Sequence, residues 1–199
     1  MRIGQNDRGE NMKNNKGFSI VELLIVIILI GLFLGAIPRI DSVFGYSARE
    51  ASSKIYNGIT SFKTSYMGKA KAQESCSIVS VGGVNTVNPN LDMYMEIFKD
   101  SKNIYYVKFY QNGVEDTVEK LGPKRISIQY QLKNDPDKKD IGTEGQGLIL
   151  AFDRATGAFL PVDMSGGTAK YVQYIYCSSG TKTYINELSP KTGKVKKIK

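Results

Sequence analysis

Apolar and polar positions divide the chain into three regimes. From Phe18 to Ile37 the residues include no Lys, Arg or Asp and a single acid, Glu22. A helix of about 20 residues rises about 30 Å, the thickness of a bilayer's hydrocarbon core. From Phe44 the run gives way to a period. Phe44, Ala48, Ala51, Ile55, Ile59, Phe62, Tyr66 and Ala70 recur at steps of three and four, with Arg49, Glu50, Lys54 and Lys63 between them. That spacing draws one apolar stripe along a helix. Pro38 stands between the two stretches without a clear stop signal beyond it, so the expectation is one rod of about fifty residues, kinked at Pro38.

After Cys76 the pattern turns to short runs separated by turn residues. Cys76–Asn90, with Gly82-Gly83 and Asn88-Pro89-Asn90, reads as a strand or irregular connection. Leu91, Tyr94, Met95 and Phe98 fall at helical spacing and predict a short helix over Leu91–Lys99. Ile104–Tyr110, the hairpin signal Asn112-Gly113 and Val114–Val118 predict two antiparallel strands. Further strands are expected at Ile126–Leu132, Leu148–Phe152, Ala158–Val162, Tyr171–Cys177 and Thr183–Leu188. Helices first and strands afterwards make an α+β fold, a long N-terminal helix packed on an antiparallel sheet.

Composition narrows the chemistry. The 199 residues contain no His and no Trp, which removes the commonest general base and metal ligand. There is no Gly-rich phosphate loop, no Cys/His metal pattern and no Ser-His-Asp set, so the expectation is a non-enzymatic protein without a cofactor. The net charge is +8, but its placement matters more. Residues 1–17 carry a net +2, the last nine residues carry five lysines, and the chain between them is left with +1. Positive charge ahead of the apolar run favours a cytoplasmic N-terminus and an external C-terminal domain.

Glu22 is the anomaly in the apolar run, because a carboxylate near the centre of a membrane helix costs roughly 2.5–3.5 kcal/mol and by default marks a partner. Close to the end of the run, it can instead reach the headgroups. The residues around it decide. Lys16-Gly17 followed at once by Phe18-Ser19-Ile20-Val21-Glu22-Leu23-Leu24-Ile25-Val26-Ile27 resembles the N-terminus of type IV prepilins and of the pseudopilins of type II secretion and competence systems. The likeness covers about Lys13–Pro38. Ser19 stands where the family usually has Thr, and Pro38 lies one place earlier than the family's proline.

The resemblance implies a pilin-like fold and a precursor that a membrane prepilin peptidase/methyltransferase cuts between Gly17 and Phe18 and N-methylates at Phe18. Glu22 would then pair with the charged amine of a neighbouring subunit's Phe18 as helices assemble into a filament with other pilin subunits. The implied division is a cleaved leader over 1–17, a membrane-spanning and filament-core half-helix over 18–37, an amphipathic half over 38–75, a globular domain over 76–190 and a basic tail over 191–199. The precursor would cross the inner or cytoplasmic membrane once, and the mature subunit would join an extracellular pilus or an envelope pseudopilus. A secretory signal cut near Gly35 and Ala36 is the competing account of the N-terminus. An anchored ectodomain that keeps residues 1–17 is another. Translation from Met12 rather than Met1 would leave a compact leader.

Other groups carry weaker signals. Cys76 and Cys177, the only two cysteines, are a candidate disulfide for an exported domain. Closing a loop of about 100 residues is worth roughly 4.7 kcal/mol in the chain-entropy model. Asp135, Asp137 and Asp140 offer carboxylates that suit Ca²⁺, as some pseudopilins bind it, although Asp-Pro turns collect the same residues. Lys191, Lys194, Lys196, Lys197 and Lys199 suit DNA phosphates, as a competence pseudopilin would use, or a frayed solubilising terminus. Tyr105, Tyr106, Tyr110, Tyr130, Tyr171, Tyr174 and Tyr176 are expected in sheet packing.

Overall fold

The computed structural model describes residues 19–69, 76–81, 84–164 and 167–198, with the backbone alone for 35–44. The chain forms two compact units, Met1–Pro38 and Arg39–Lys199.

Helix α1 (Ile20–Phe44) begins directly after Ser19 and belongs to the first unit as far as Pro38. Its large apolar side chains from Ile20 to Leu34 are all between 45% and 83% exposed. Among the described residues nothing within the unit covers them. Among the described residues no helix is long and apolar enough to cross a membrane. The described apolar side chains stop at Leu34, whereas the apolar sequence runs to Ile37.

The expected kink at Pro38 is not where the helix is interrupted. Helix α1 passes through Pro38 to Phe44, and α2 (Tyr46–Lys69) begins after Gly45, which adopts φ +62°. Two constraints reserve this position for glycine. A left-handed φ is strained for residues bearing a Cβ, and a Cβ here would lie 2.5 Å from Lys182 Cβ. The Gly45 carbonyl then accepts the Arg49 amide at 3.0 Å and starts α2.

The second unit is built on α2. Ala48, Ala51, Ile55, Ile59, Phe62 and Tyr66, the six members of the predicted stripe whose side chains are described, are all at most 5% exposed. Phe44 and Ala70 lie outside the described side chains. The antiparallel strands that follow are β1 (Ile78–Val81), β2 (Val84–Val87), β3 (Met93–Lys99), β4 (Tyr105–Gln111), β5 (Val114–Lys120), β6 (Ser127–Leu132), β7 (Lys138–Asp140), β8 (Leu148–Leu150), β9 (Val172–Ser179), β10 (Lys182–Ser189) and β11 (Lys194–Ile198). They form a β1-β2 hairpin, a four-stranded sheet in the order β5-β4-β3-β8 and a five-stranded sheet in the order β11-β10-β9-β6-β7. Helix α2 touches β9, β10 and β11 of one sheet and β3 of the other. One core therefore joins α2 to both sheets, including Met95, Ile97, Val107, Ile128, Ile175 and Leu188. This is the expected α+β, pilin-like arrangement, with two sheets where one was expected.

Local departures from the sequence reading have physical causes. Leu91–Lys99 is not helical. Met93, Met95 and Ile97 point to the main core, while Glu96 and Phe98 on the other face are also buried. Burial on both faces hides the alternation that marks a strand, and pairing with β4 and β8 decides the conformation. Ala158–Val162 forms no strand, because its amides find carbonyls on separate segments. Phe159 donates to Pro190, Leu160 to Ala151 and Val162 to Lys170. Asn112 and Gly113, with φ 53° and 73°, close the β4–β5 hairpin as expected.

The basic terminus is not a frayed tail. Residues 194–198 form β11 on the edge of the five-stranded sheet, with Val195 packed on the core. Lys197 Nζ donates to Ser53 Oγ at 3.1 Å and lies 4.6 Å from the Tyr56 ring centre. Lys63 Nζ donates to the Thr192 carbonyl at 2.8 Å in the turn before the strand.

The helix is seated by one buried polar pair. Asn186 on β10 is fully buried, its amide nitrogen donating to the Ser52 carbonyl at 3.1 Å and its oxygen accepting from Ser52 Oγ at 3.2 Å. Asn186→Ala removes both bonds and leaves the Ser52 hydroxyl unpaired in the core. Urea unfolding of the detergent-solubilised chain is expected to show a loss of about 1–3 kcal/mol, with a smaller loss for Ser52→Ala.

Candidate processing and assembly site

Gly17 and Phe18 lie outside the described residues, so the site is seen from its helical side. Ser19 is the N-cap of α1. Its Oγ accepts the Val21 amide at 3.3 Å and its carbonyl accepts the Leu23 amide at 3.1 Å. Glu22 reaches back, its Oε2 accepting the Ser19 amide at 3.0 Å. Ser and Glu three residues apart have the spacing of a capping box; Glu22 makes its half of the motif, while the Ser19 hydroxyl serves the Val21 amide. The Ser-x-x-Glu spacing was legible in the sequence, but reading Ser19 as a substitute for Thr and Glu22 as an acid awaiting an amine passed over it.

The cap changes the electrostatics of the acid. Glu22 lies in the first turn, where the unpaired amides of the helix present partial positive charge. Its charge is therefore supported by its own helix before another chain is involved. A carboxylate has about four acceptor positions, so one bond from Ser19 leaves room for an ammonium. The amine that a cut between Gly17 and Phe18 would create is one residue from the amide that Glu22 already holds.

The remaining candidates do not converge on a second centre. Cys76 and Cys177 are both free and buried, so the expected disulfide is not formed. Cys76 Sγ donates to the Ile78 carbonyl at 2.8 Å, while Cys177 packs within the main core and burial pushes its thiol up to about 12. Asp135 accepts the Asp137 amide at 3.1 Å and pairs with Lys139 at 3.3 Å, which hold its carboxyl below the ordinary value. Asp140, on β7, accepts from Gln129 at 2.8 Å. Among the described residues no group of three His, Cys, Asp or Glu side chains is placed to hold a metal ion.

A buried acid that the sequence reading did not single out is Glu96 on β3, only 2% exposed. Its Oε1 accepts the Gly145 and Gly147 amides at 2.7 and 3.2 Å, pinning the loop between β7 and β8. Glycine is required at 147, since a Cβ there would lie 2.4 Å from the Ile97 carbonyl. Burial raises the Glu96 carboxyl above its ordinary value, although the two amides and Lys108 oppose the shift. Beside it, Lys108 bridges Glu115 at 2.7 Å and Glu144, and these partners raise its ammonium above the usual lysine range. The signal for Glu96 was an acid inside an apolar stretch, the same signal that drew attention to Glu22.

Comparison with known proteins adds to this geometry. Residues 12–38 match the family described as the prokaryotic N-terminal methylation motif. The chain is similar to the fimbrial protein EcpB of Eikenella corrodens, 24% identical over 144 residues, which cover 72% of this chain and 81% of the relative. No solved structure matches significantly. The chain carries the N-methylation motif of prepilins, which implies processing by a prepilin peptidase at the membrane, and it is type IV pilin-like, a structural rather than a catalytic class.

Glu96 yields a pH signature. With its folded value raised, the folded state retains a proton that the unfolded chain has released. The stability this proton contributes is fully present below about 4.5 and is lost as pH rises through the higher folded value. Glu96→Gln keeps an oxygen for the two glycine amides and removes the titration. Urea unfolding measured across pH is expected to lose this decline in the variant.

Proposed function

We propose that this type IV pilin-like chain is a structural subunit of a type IV pilus-like filament, cut between Gly17 and Phe18, N-methylated at Phe18 and polymerised through α1. The observation that carries this reading is the exposure of α1. Its large apolar side chains from Ile20 to Leu34 are about half exposed or more, although burying each such side chain favours folding by about 1.5–3 kcal/mol. Such a surface requires an apolar environment. The bilayer supplies it to the precursor, and packed α1 helices of other subunits supply it in a filament.

The likeness to a fimbrial protein favours a pilus over a secretion or competence pseudopilus. The basic terminus adds little support for a DNA-binding component, since Lys197 already donates to Ser53 and lies over Tyr56. Assembly leaves Glu22 as an acid among apolar helices. Its capping bonds with Ser19 and an ammonium from Phe18 offset the desolvation that an unpaired acid would suffer there.

The first test is the N-terminal sequence and mass of the protein from its native cells, divided into membrane and sheared surface fractions. N-methylated Phe18 in the sheared fraction is the expected result. An intact leader, or a cut near Ala36, would refute the reading. Glu22→Ala is expected to be processed normally but to enter sheared filaments poorly, as measured by immunoblot of the two fractions. Normal incorporation would remove the role assigned to this acid.

A further inference from the structure

The two sheets end in exposed edges of opposite charge, placed on opposite flanks of α2. On one flank, β11 carries Lys194, Lys196 and Lys197, and Lys63 of α2 binds the turn before it. Among the described residues no carboxylate lies within ion-pair distance of these four lysines. Burial, and after it the charge of Lys194, lowers the Lys63 ammonium below its ordinary value. On the other flank, β5 carries Glu115, Asp116 and Glu119 against Lys120. Lys54 of α2 ties this strand down, donating to the Lys120 carbonyl at 2.9 Å and pairing with Glu119 at 3.7 Å.

The acidic edge also borders a groove. Ser61 and Ser65 of α2 form one rim, Asp116 and Thr117 of β5 form the other, and Phe62 and Phe109 lie beneath. An apolar floor with a carboxylate at its rim suits a lysine side chain, whose methylene stem covers apolar surface while its ammonium meets the acid. Val114 and Val118, 68% and 42% exposed, extend the same edge.

We propose that the acidic β5 edge and its groove receive the basic β11 edge of a second copy of this chain. The charges select the pairing. Two β5 edges repel, as do two β11 edges, so symmetric edge-to-edge dimers are disfavoured while the unlike pairing is attractive. A contact between two different surfaces of one chain leaves an unused surface at each end of every assembly and propagates into an open polymer. The inference rests on the filament reading and adds to it a lateral contact between globular domains, independent of α1. Lys194 and Lys196, which alternate with the inward-facing Val195 and Lys197, are the side chains placed to meet Asp116.

The test uses the full chain in its native cells. Asp116→Cys and Lys196→Cys are introduced singly and together, filaments are sheared and oxidised, and products are resolved without reductant. The native cysteines are buried and serve as a silent background. The double variant is expected to give a ladder of covalent multimers, and each single variant only monomer. Lys194→Glu with Lys196→Glu is expected to reduce sheared filament about tenfold, and adding Asp116→Lys to restore it. Filaments that contain the double cysteine variant yet give no ladder would overturn the edge contact and leave the filament reading intact. Absence of the unsubstituted chain from sheared filaments would overturn both.

Discussion

The structure of the second unit depends on burying one stripe of α2. Ala48, Ala51, Ile55, Ile59, Phe62 and Tyr66 present a continuous apolar face that neither sheet could cover alone. The five-stranded sheet approaches it through β9, β10 and β11, and the four-stranded sheet through β3. Small residues at the start of the stripe and aromatic residues at its end set how closely strands approach. Phe62 and Tyr66 meet Phe152, and Phe62 also meets Phe109, with ring centres 5.7–6.4 Å apart. Removal of α2 would expose both sheets at once.

Polar groups fix the position of that helix where apolar contact alone would allow it to slide. The Ser52–Asn186 pair sets its register on β10, Lys54 binds one sheet edge and Lys197 reaches it from the other. The buried pair is directional and costly to break, whereas the lysine contacts are exposed and individually weak. The outer face of the four-stranded sheet is closed in a related way. Glu96 holds the loop at Gly145 and Gly147, and the β1–β2 hairpin contributes Ile78 and Val87 to a smaller core with Leu91, Ile149, Ala151 and Leu160.

The apolar side chains of α1 present the opposite case. Among the described residues their unit offers no surface to cover them, and side-chain polar bonds are concentrated at the helix start, where Ser19 serves the Val21 amide and Glu22 the Ser19 amide. The same acid can serve as cap and as counter-charge, because one carboxylate accepts several hydrogen bonds.

The sequence by itself determined the elements with strong periods or unmistakable local chemistry. The apolar run of α1, the stripe of α2, the Asn112-Gly113 turn and most strands were legible because side-chain spacing and backbone φ are local properties. The prepilin motif was legible for the same reason, being read from contiguous residues. Tertiary structure decided what depends on distant partners. Pairing with β4 and β8 made Met93–Lys99 a strand, separate acceptors kept Ala158–Val162 irregular, and the contact of Val195 and Lys197 with the core and α2 turned a run of lysines into β11. Gly45, not Pro38, interrupts the helical segment, with a left-handed φ and with Lys182, from the far end of the chain, packed where a Cβ would stand. Cys76 and Cys177 stay apart for a comparable reason, since the fold gives each thiol its own buried surroundings. Composition can propose such pairings, but only the packing of distant segments decides which groups meet.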